Sequence, residues 1–251
     1  MKTKLVAKTP NEIVLMKKAC EITKKTLEYA EKQIRPGIST LDLDKLIKKF
    51  IIDNDAKPAF FGYQGYPANS CISVNDVVVH GIPKENIILQ EGDIVSVDVG
   101  VTYKGYNGDA ARTFPVGKIS AEKQRLIDVT KQSFFEGIAK LEVGKKLGRL
   151  SHAIQKFAEE NGFSVVRELV GHGIGKNMHE MPNIPNYGRE DEGIIVPENI
   201  FLAIEPMINM GKRYICLEND GWTIRTKDGL PSAHYENTVL VTKNGVEILT
   251  L

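Results

Sequence analysis

The sequence predicts a mixed α/β (α+β) fold of two similar halves, fused in one domain over residues 1–251 and packed about a pseudo-twofold axis. Three observations lead there. Segments with helical spacing of apolar residues are followed by strand-like ones. No linker rich in Gly, Ser or Pro divides the chain. The first half is also echoed in the second at an offset of 107 residues. Ile22-Thr23-Lys24 is matched by Val129-Thr130-Lys131, Leu27 by Phe134, Ile34 by Leu141 and Gly37 by Gly144. Leu43 is matched by Leu150, Ile47 by Ile154, Phe50 by Phe157 and Asn54 by Asn161. Helical periodicity alone creates weak self-similarity. Here one unbroken offset goes on to align Ile94–Asp98 with Phe201–Glu205, apolar strands that each carry a carboxylate near the end.

Thr9-Pro10-Asn11-Glu12 reads as a helix start, with a capping Thr, Pro in the first turn and Glu three residues after the Thr. Apolar residues at Ile13, Met16, Ala19, Ile22, Leu27 and Ala30 keep helical spacing until Pro36-Gly37 ends it. Ser39-Thr40-Leu41-Asp42 is a second capping signal, for a helix running through Leu43, Leu46, Ile47 and Phe50. Strands are expected at Ser70–Val74, Val77–Val79, Ile94–Val101 and Asp109–Val116, and in the second half at Ile200–Glu205 and Glu236–Thr242. His152 falls in a helical stretch, 147–160, as a surface or packing residue.

With 33 Lys+Arg against 32 Asp+Glu, the formal net charge of +1 gives no electrostatic case for nucleic acid as a partner or substrate. A hydrophobic share of 42% is that of an ordinary globular protein rather than a disordered one. Cys20, Cys71 and Cys216 are odd in number and widely spaced, which favours a reducing compartment over a disulfide framework. The start, Met1 to Lys8, is basic but lacks the apolar core of a signal peptide, and no run reaches the length of a membrane span. A cytoplasmic location is expected.

Asp98 lies inside an apolar strand, and Asp109 follows the turn material Tyr103-Lys104-Gly105-Tyr106-Asn107-Gly108. A hairpin centred between Tyr103 and Lys104 puts the two directly opposite, with Cβ atoms about 4.5–5.5 Å apart. Like charges at that distance are unfavourable; burial forces one to take a proton, and a bound cation relieves both. Glu205, followed by Pro206, and Glu236, opening its strand, repeat the arrangement. One such acid alone is ordinarily a solvated strand residue, but four at matching places mark a site. His172, between glycines in Gly171-His172-Gly173-Ile174-Gly175, is the candidate neutral ligand. Four carboxylates and one imidazole suit two divalent ions, Mn²⁺, Fe²⁺, Co²⁺ or Zn²⁺, rather than a closed structural zinc site. Two ions about 3.5–4 Å apart can polarise a carbonyl and activate water.

Asp98, Asp109, His172, Glu205 and Glu236 occur together with Tyr63-Gln64-Gly65-Tyr66-Pro67, His80-Gly81-Ile82-Pro83 and His179-Glu180. In that order they resemble the type I methionine aminopeptidases, in the short bacterial form, of the M24 "pita-bread" metallopeptidase family. The likeness covers essentially the whole chain. The spacings of 33 residues from His172 to Glu205 and 31 from Glu205 to Glu236 leave no room for a large insertion. The resemblance implies two pseudo-twofold-related halves of helices on a curved antiparallel sheet. It further implies removal of N-terminal methionine from nascent proteins, with a small second residue preferred. Asp109 and Glu236 would bridge two divalent metals, His172 and Glu205 would complete one site, and Asp98 would chelate the other. Glu205 would be acid/base partner of the nucleophilic water, His80 would contact the substrate near the scissile amide, and His179 would stabilise the tetrahedral intermediate. Phe60, Tyr63, Tyr66, Cys71, Met178, Met207 and Trp222 would line the methionine pocket. Phe60, Gln64, Met178 and His234 depart from the usual residues, Cys, His, an aromatic and Gln, and bear on pocket shape rather than on the reaction. Peptides with N-terminal methionine and nascent chains are the implied partners, with ribosome association, and a monomer is expected.

Other motifs fail. No second histidine follows His179-Glu180, and Pro182 interrupts the helix a zincin needs. Gly171, Gly173 and Gly175 have the wrong spacing for a dinucleotide fingerprint. Gly-x-Ser-x-Gly is absent. Within the same fold, proline-specific peptidases share the five ligands but usually carry a substantial N-terminal domain. Non-catalytic relatives typically lose ligands, and a dinuclear phosphoesterase needs basic groups for phosphate.

Overall fold

Thr9 opens the first helix as its sequence demands. Its hydroxyl accepts from the backbone of Glu12 while the Glu12 carboxylate accepts from the Thr9 backbone, so α1 (Pro10–Gln33) starts from a closed capping box. Ser39 caps α2 (Thr40–Asp53) through Asp42 N at 3.0 Å, and Ser120 caps α3 (Ala121–Ile138) in the same way; α4 is Gly148–Glu160. These elements come from a computed structural model that describes residues 8–251. The basic start, 1–7, lies outside the described residues. No helix among them is long and apolar enough to cross a membrane.

A nine-stranded, antiparallel sheet runs through the molecule. Its central order places Ile94–Tyr103 beside Tyr106–Pro115, then Glu236–Thr242, Ile200–Ile204, Gly171–Gly173 and Glu180–Ile184. Alternate side chains serve opposite faces. Val95, Val97, Val99 and Val101 pack with Ile22, Leu27, Leu43 and Ile47 of α1 and α2. Ile200, Leu202, Ile204, Val239 and Val241 pack with Phe134, Leu150 and Ile154 of α3 and α4. The intervening residues, Asp98, Asp109, His172 and Glu236 among them, leave from the other face.

Several individual bonds recur at a spacing of 107 residues. Gly37 and Gly144 both take a left-handed φ, +89° and +80°, which a glycine adopts at no steric cost. Gly37 N donates to Leu89 O at 2.8 Å and Gly144 N to Val196 O at 2.9 Å, equivalent bonds in the two halves. Ser39 bridges Ile88 as Lys146 bridges Ile195. Asn54 and Asn161 each cap a helix end by donating from Nδ2 to the carbonyls of Phe50 and Phe157. Thr23 and Thr130 each donate to the carbonyl four residues back.

Candidate metal centre

The hairpin that carries Asp98 and Asp109 does not have the register expected from the sequence. Tyr103 pairs with Tyr106, so the turn is Lys104-Gly105, at φ +46° and +82°. Two left-handed turn residues match the twist of the flanking strands. The shift sets Asp98 opposite Ala111 and Asp109 opposite Gly100. The two carboxylates are therefore diagonal neighbours on one face rather than a direct pair.

Gly100 has a reason to be glycine there: a Cβ would collide with the Phe60 ring and Met178 Cε. Glu236 pairs with Ala111 from the other side, so Asp98, Ala111 and Glu236 form one row across three strands. Asp109 lies in the next row, fixed by Thr238, whose hydroxyl accepts from Asp109 N at 3.0 Å and donates to Asp109 O at 2.8 Å. The strand Ile200–Ile204 ends one residue before Glu205. His172 pairs with Ala203, which faces the same way as Glu205. The glycines around His172 serve the neighbouring backbone: a Cβ at 171 would meet the Ala203 carbonyl, and one at 173 the Met181 carbonyl.

These side chains meet at one place. Asp109, His172 and Glu236 bring ligand atoms within 4.8 Å of one another. His172 Nε2 is 3.8 Å from Asp109 Oδ2 and 3.6 Å from Glu205 Oε1. Burial raises all four carboxyl groups. Asp109 is pushed up to about 7, and Asp98, Glu205 and Glu236 rise well above their usual range, each further raised by the charge of Asp109. Burial works the other way on imidazole, taking His172 down to about 3, with His179 beside it adding to the effect. Among the described residues, Asp98 Oδ1, Asp109 Oδ1 and His234 Nε2 are buried without a hydrogen-bond partner. Orphaned acceptors of this kind are costly unless something positive sits among them. Crowded carboxylate oxygens with one neutral imidazole are the donor set of a divalent cation, and the site fits one.

The cluster floors a cavity of about 210 Å³ whose walls include Phe60, Tyr63, Gln64, Tyr66, Cys71, His80, His179 and Trp222. Trp222 stands edge-on to Tyr66 at 5.1 Å and to His80 at 6.3 Å. His80 has a left-handed φ of +58°, and burial holds its pKa at about 4. His179 Nδ1 is 2.8 Å from the Tyr63 hydroxyl, and its ring lies 4.1 Å from that of His172. Met178 is buried behind the wall in a cluster with Phe60, Tyr66 and Cys71. Met207 lies elsewhere, fully buried with Val78, Val79 and Val166. The Cys71 thiol is pushed up by burial, which leaves it protonated. His152, by contrast, is remote from the cavity and bonds through Nδ1 to Gly188 O at 3.1 Å.

One neighbour was not among the residues singled out for the metal. His234 is 2% exposed, with Nε2 3.9 Å from Glu205 Oε2 and 4.0 Å from Glu236 Oε2. Its position two residues before Glu236 carried the signal, because extended backbone sends both side chains to one face.

Comparison with known proteins identifies the family and the fold. A family model described as metallopeptidase family M24 matches residues 14–243. A methionine aminopeptidase of Clostridium acetobutylicum is 49% identical over 247 residues, covering 98% of this chain and 99% of its own. The solved methionine aminopeptidase from Rickettsia prowazekii superposes with a TM-score of 0.97 at 40% identity, covering 99% of this chain and 100% of that one. That from Thermotoga maritima also gives 0.97, at 44% identity and coverage of 98% and 99%. The mixed helix and curled antiparallel sheet are the pita-bread fold of these structures.

Proposed function

Because the chain belongs to metallopeptidase family M24, we propose that it removes the N-terminal methionine from peptides and nascent proteins, with a small second residue preferred. One observation carries the reading: acids and an imidazole from both halves converge on the buried floor of a single cavity walled by aromatic side chains. The family and the donor set support divalent metal use. The site would take two ions, Co, Mn, Fe or Zn, and Asp98, Asp109, His172, Glu205 and Glu236 are the residues that would hold them. When bound, they neutralise the carboxylates, polarise the scissile carbonyl and lower the pKa of water.

The chain's own residues do the rest. Phe60, Tyr63, Tyr66, Cys71 and Trp222 exclude water around the methionine side chain, with Met178 backing the wall; Met207 packs in a separate cluster and takes no part. Glu205 takes the proton of the attacking water and returns it to the leaving amine. His80 contacts the substrate backbone at the scissile amide. His179 donates to the developing oxyanion; burial keeps its pKa low, so it acts as a neutral donor. We read 1–251 as one domain, acting as a monomer in the cytoplasm near the ribosome's exit.

The test is mass spectrometry of metal-reconstituted protein with paired peptides, Met-Ala-x and Met-Leu-x, beside a chelated control. Metal-dependent loss of methionine from the Ala peptide alone is expected. No cleavage of either with metal bound overturns the reading, and cleavage of Xaa-Pro peptides instead moves it to a proline-specific peptidase.

A further inference from the structure

The segment between the strands Gly171–Gly173 and Glu180–Ile184 carries His179 and has no regular secondary structure. Its conformation is set from outside. Asn107 holds the first part: its backbone N donates to Gly175 O at 2.9 Å, and its Nδ2 donates to Gly175 O at 3.1 Å and to Lys176 O at 3.0 Å. Glu180 holds the second. Its Oε1 accepts from Asn177 N at 3.1 Å, closing a ring of chain around Met178 and His179, and its Oε2 accepts from Lys8 Nζ at 2.6 Å. Lys8 is itself anchored, because its backbone N donates to Asn199 O at 2.9 Å and Asn199 N to Val241 O at 2.8 Å, on the central sheet.

The two charged side chains are 10% and 22% exposed, so solvent screens this pair far less than a surface one. Gly175 lies against it, and a Cβ there would collide with both Lys8 Nζ and Glu180 Oε1. A residue with no side chain is what admits the pair.

We propose that Glu180, tied down by Lys8, is the positioning residue for His179. With Nδ1 engaged by Tyr63, the clamp leaves the other ring nitrogen free to meet the substrate. This rests on the reading of His179 as the donor to the oxyanion. Glu180 touches neither substrate nor metal; it acts through the ring beside it.

The test compares holoenzyme variants on a Met-Ala-x peptide and follows the ¹⁵N signals of the His179 ring. Glu180→Gln keeps an acceptor for Asn177 but loses the charge facing Lys8, and Lys8→Met removes the cation. Each should lower kcat about tenfold, leave KM within about twofold and leave metal content unchanged. Lys8→Arg should restore kcat. In a His179→Ala background neither change should lower kcat further, because the group they position is gone. The same fold loss in both backgrounds, a change confined to KM, or unaltered kcat would overturn the proposal. If Glu180→Gln does not fold, Lys8→Met and Lys8→Arg decide alone. If the wild type cleaves no peptide, the functional reading fails, and the ring signals still decide the clamp: a shift in Lys8→Met supports it and an unmoved signal rejects it.

Discussion

His234 stands between two of the acids that define the site. Its ring is buried, and burial together with His80 and Arg112 brings its pKa to about 3, so it faces Glu205 and Glu236 as a neutral imidazole. Its Nε2 makes no hydrogen bond to either carboxylate, but the ring packs against both and limits how they can turn; losing a neighbour of a metal site typically costs about 10–100-fold in metal affinity. His234→Leu should weaken divalent cation binding by about that factor in calorimetric titration. Unchanged affinity would make the ring packing only. At this scale the sequence was most legible where chemistry and surroundings conflict. Asp98 and Glu205 stand out because carboxylates are rare next to apolar strand residues. Met207 does not, since an apolar residue can serve a pocket or a core, and only the packing on Val78, Val79 and Val166 tells which.

α1 packs directly on the strand that carries Asp109. Gly108 lies under the helix, where a Cβ would meet Thr23 Oγ1, the backbone N of Cys20 and the carbonyl carbon of Ala19. Those are mostly backbone atoms, which cannot turn aside. Gly108→Ala should therefore cost about 1–3 kcal/mol through overpacking, read as a lower denaturation midpoint of the chelated protein. No change would mean the helix shifts freely on the sheet. Capping residues announced the start of α1 and α2 correctly because a cap is a local bond. The hairpin register was less legible. Tyr103 to Gly108 contains two glycines, and Asn107-Gly108 is itself a strong turn signal. Asn107 is instead committed to the carbonyls of Gly175 and Lys176, a long-range contact that no local pattern shows.

Across the molecule, the buried acids make stability depend on pH in an unusual direction. Asp109 has a folded pKa of about 7 against an ordinary 3.8, and Asp98, Glu205 and Glu236 are raised too. The metal-free folded state then holds more protons than the unfolded chain, so stability falls as pH rises through the raised values. The buried histidines, with lowered pKa, oppose this around and below their ordinary value of 6.5. Between pH 6.5 and 8 that opposition fades while the acids continue to act, so the acids dominate. The chelated protein should melt at a lower temperature at pH 8 than at pH 6.5, and saturating Mn²⁺ should abolish the drop in a thermal shift assay. A flat chelated profile would mean that the carboxylates are not held together in solution. The two halves were legible because each repeats a core, down to Leu43 with Leu150 and Ile47 with Ile154, whereas the seam between them was not. That seam, where Glu236 and Asn237 pair with Ala111 and Ala110, is a ladder only two residue pairs long. Its Asp98 and Asp109 come from one half, and His172, Glu205 and Glu236 from the other. The site thus works like a lock needing two keys: a fragment carrying either half alone has only part of the donor set, and should hold neither the metal nor any activity.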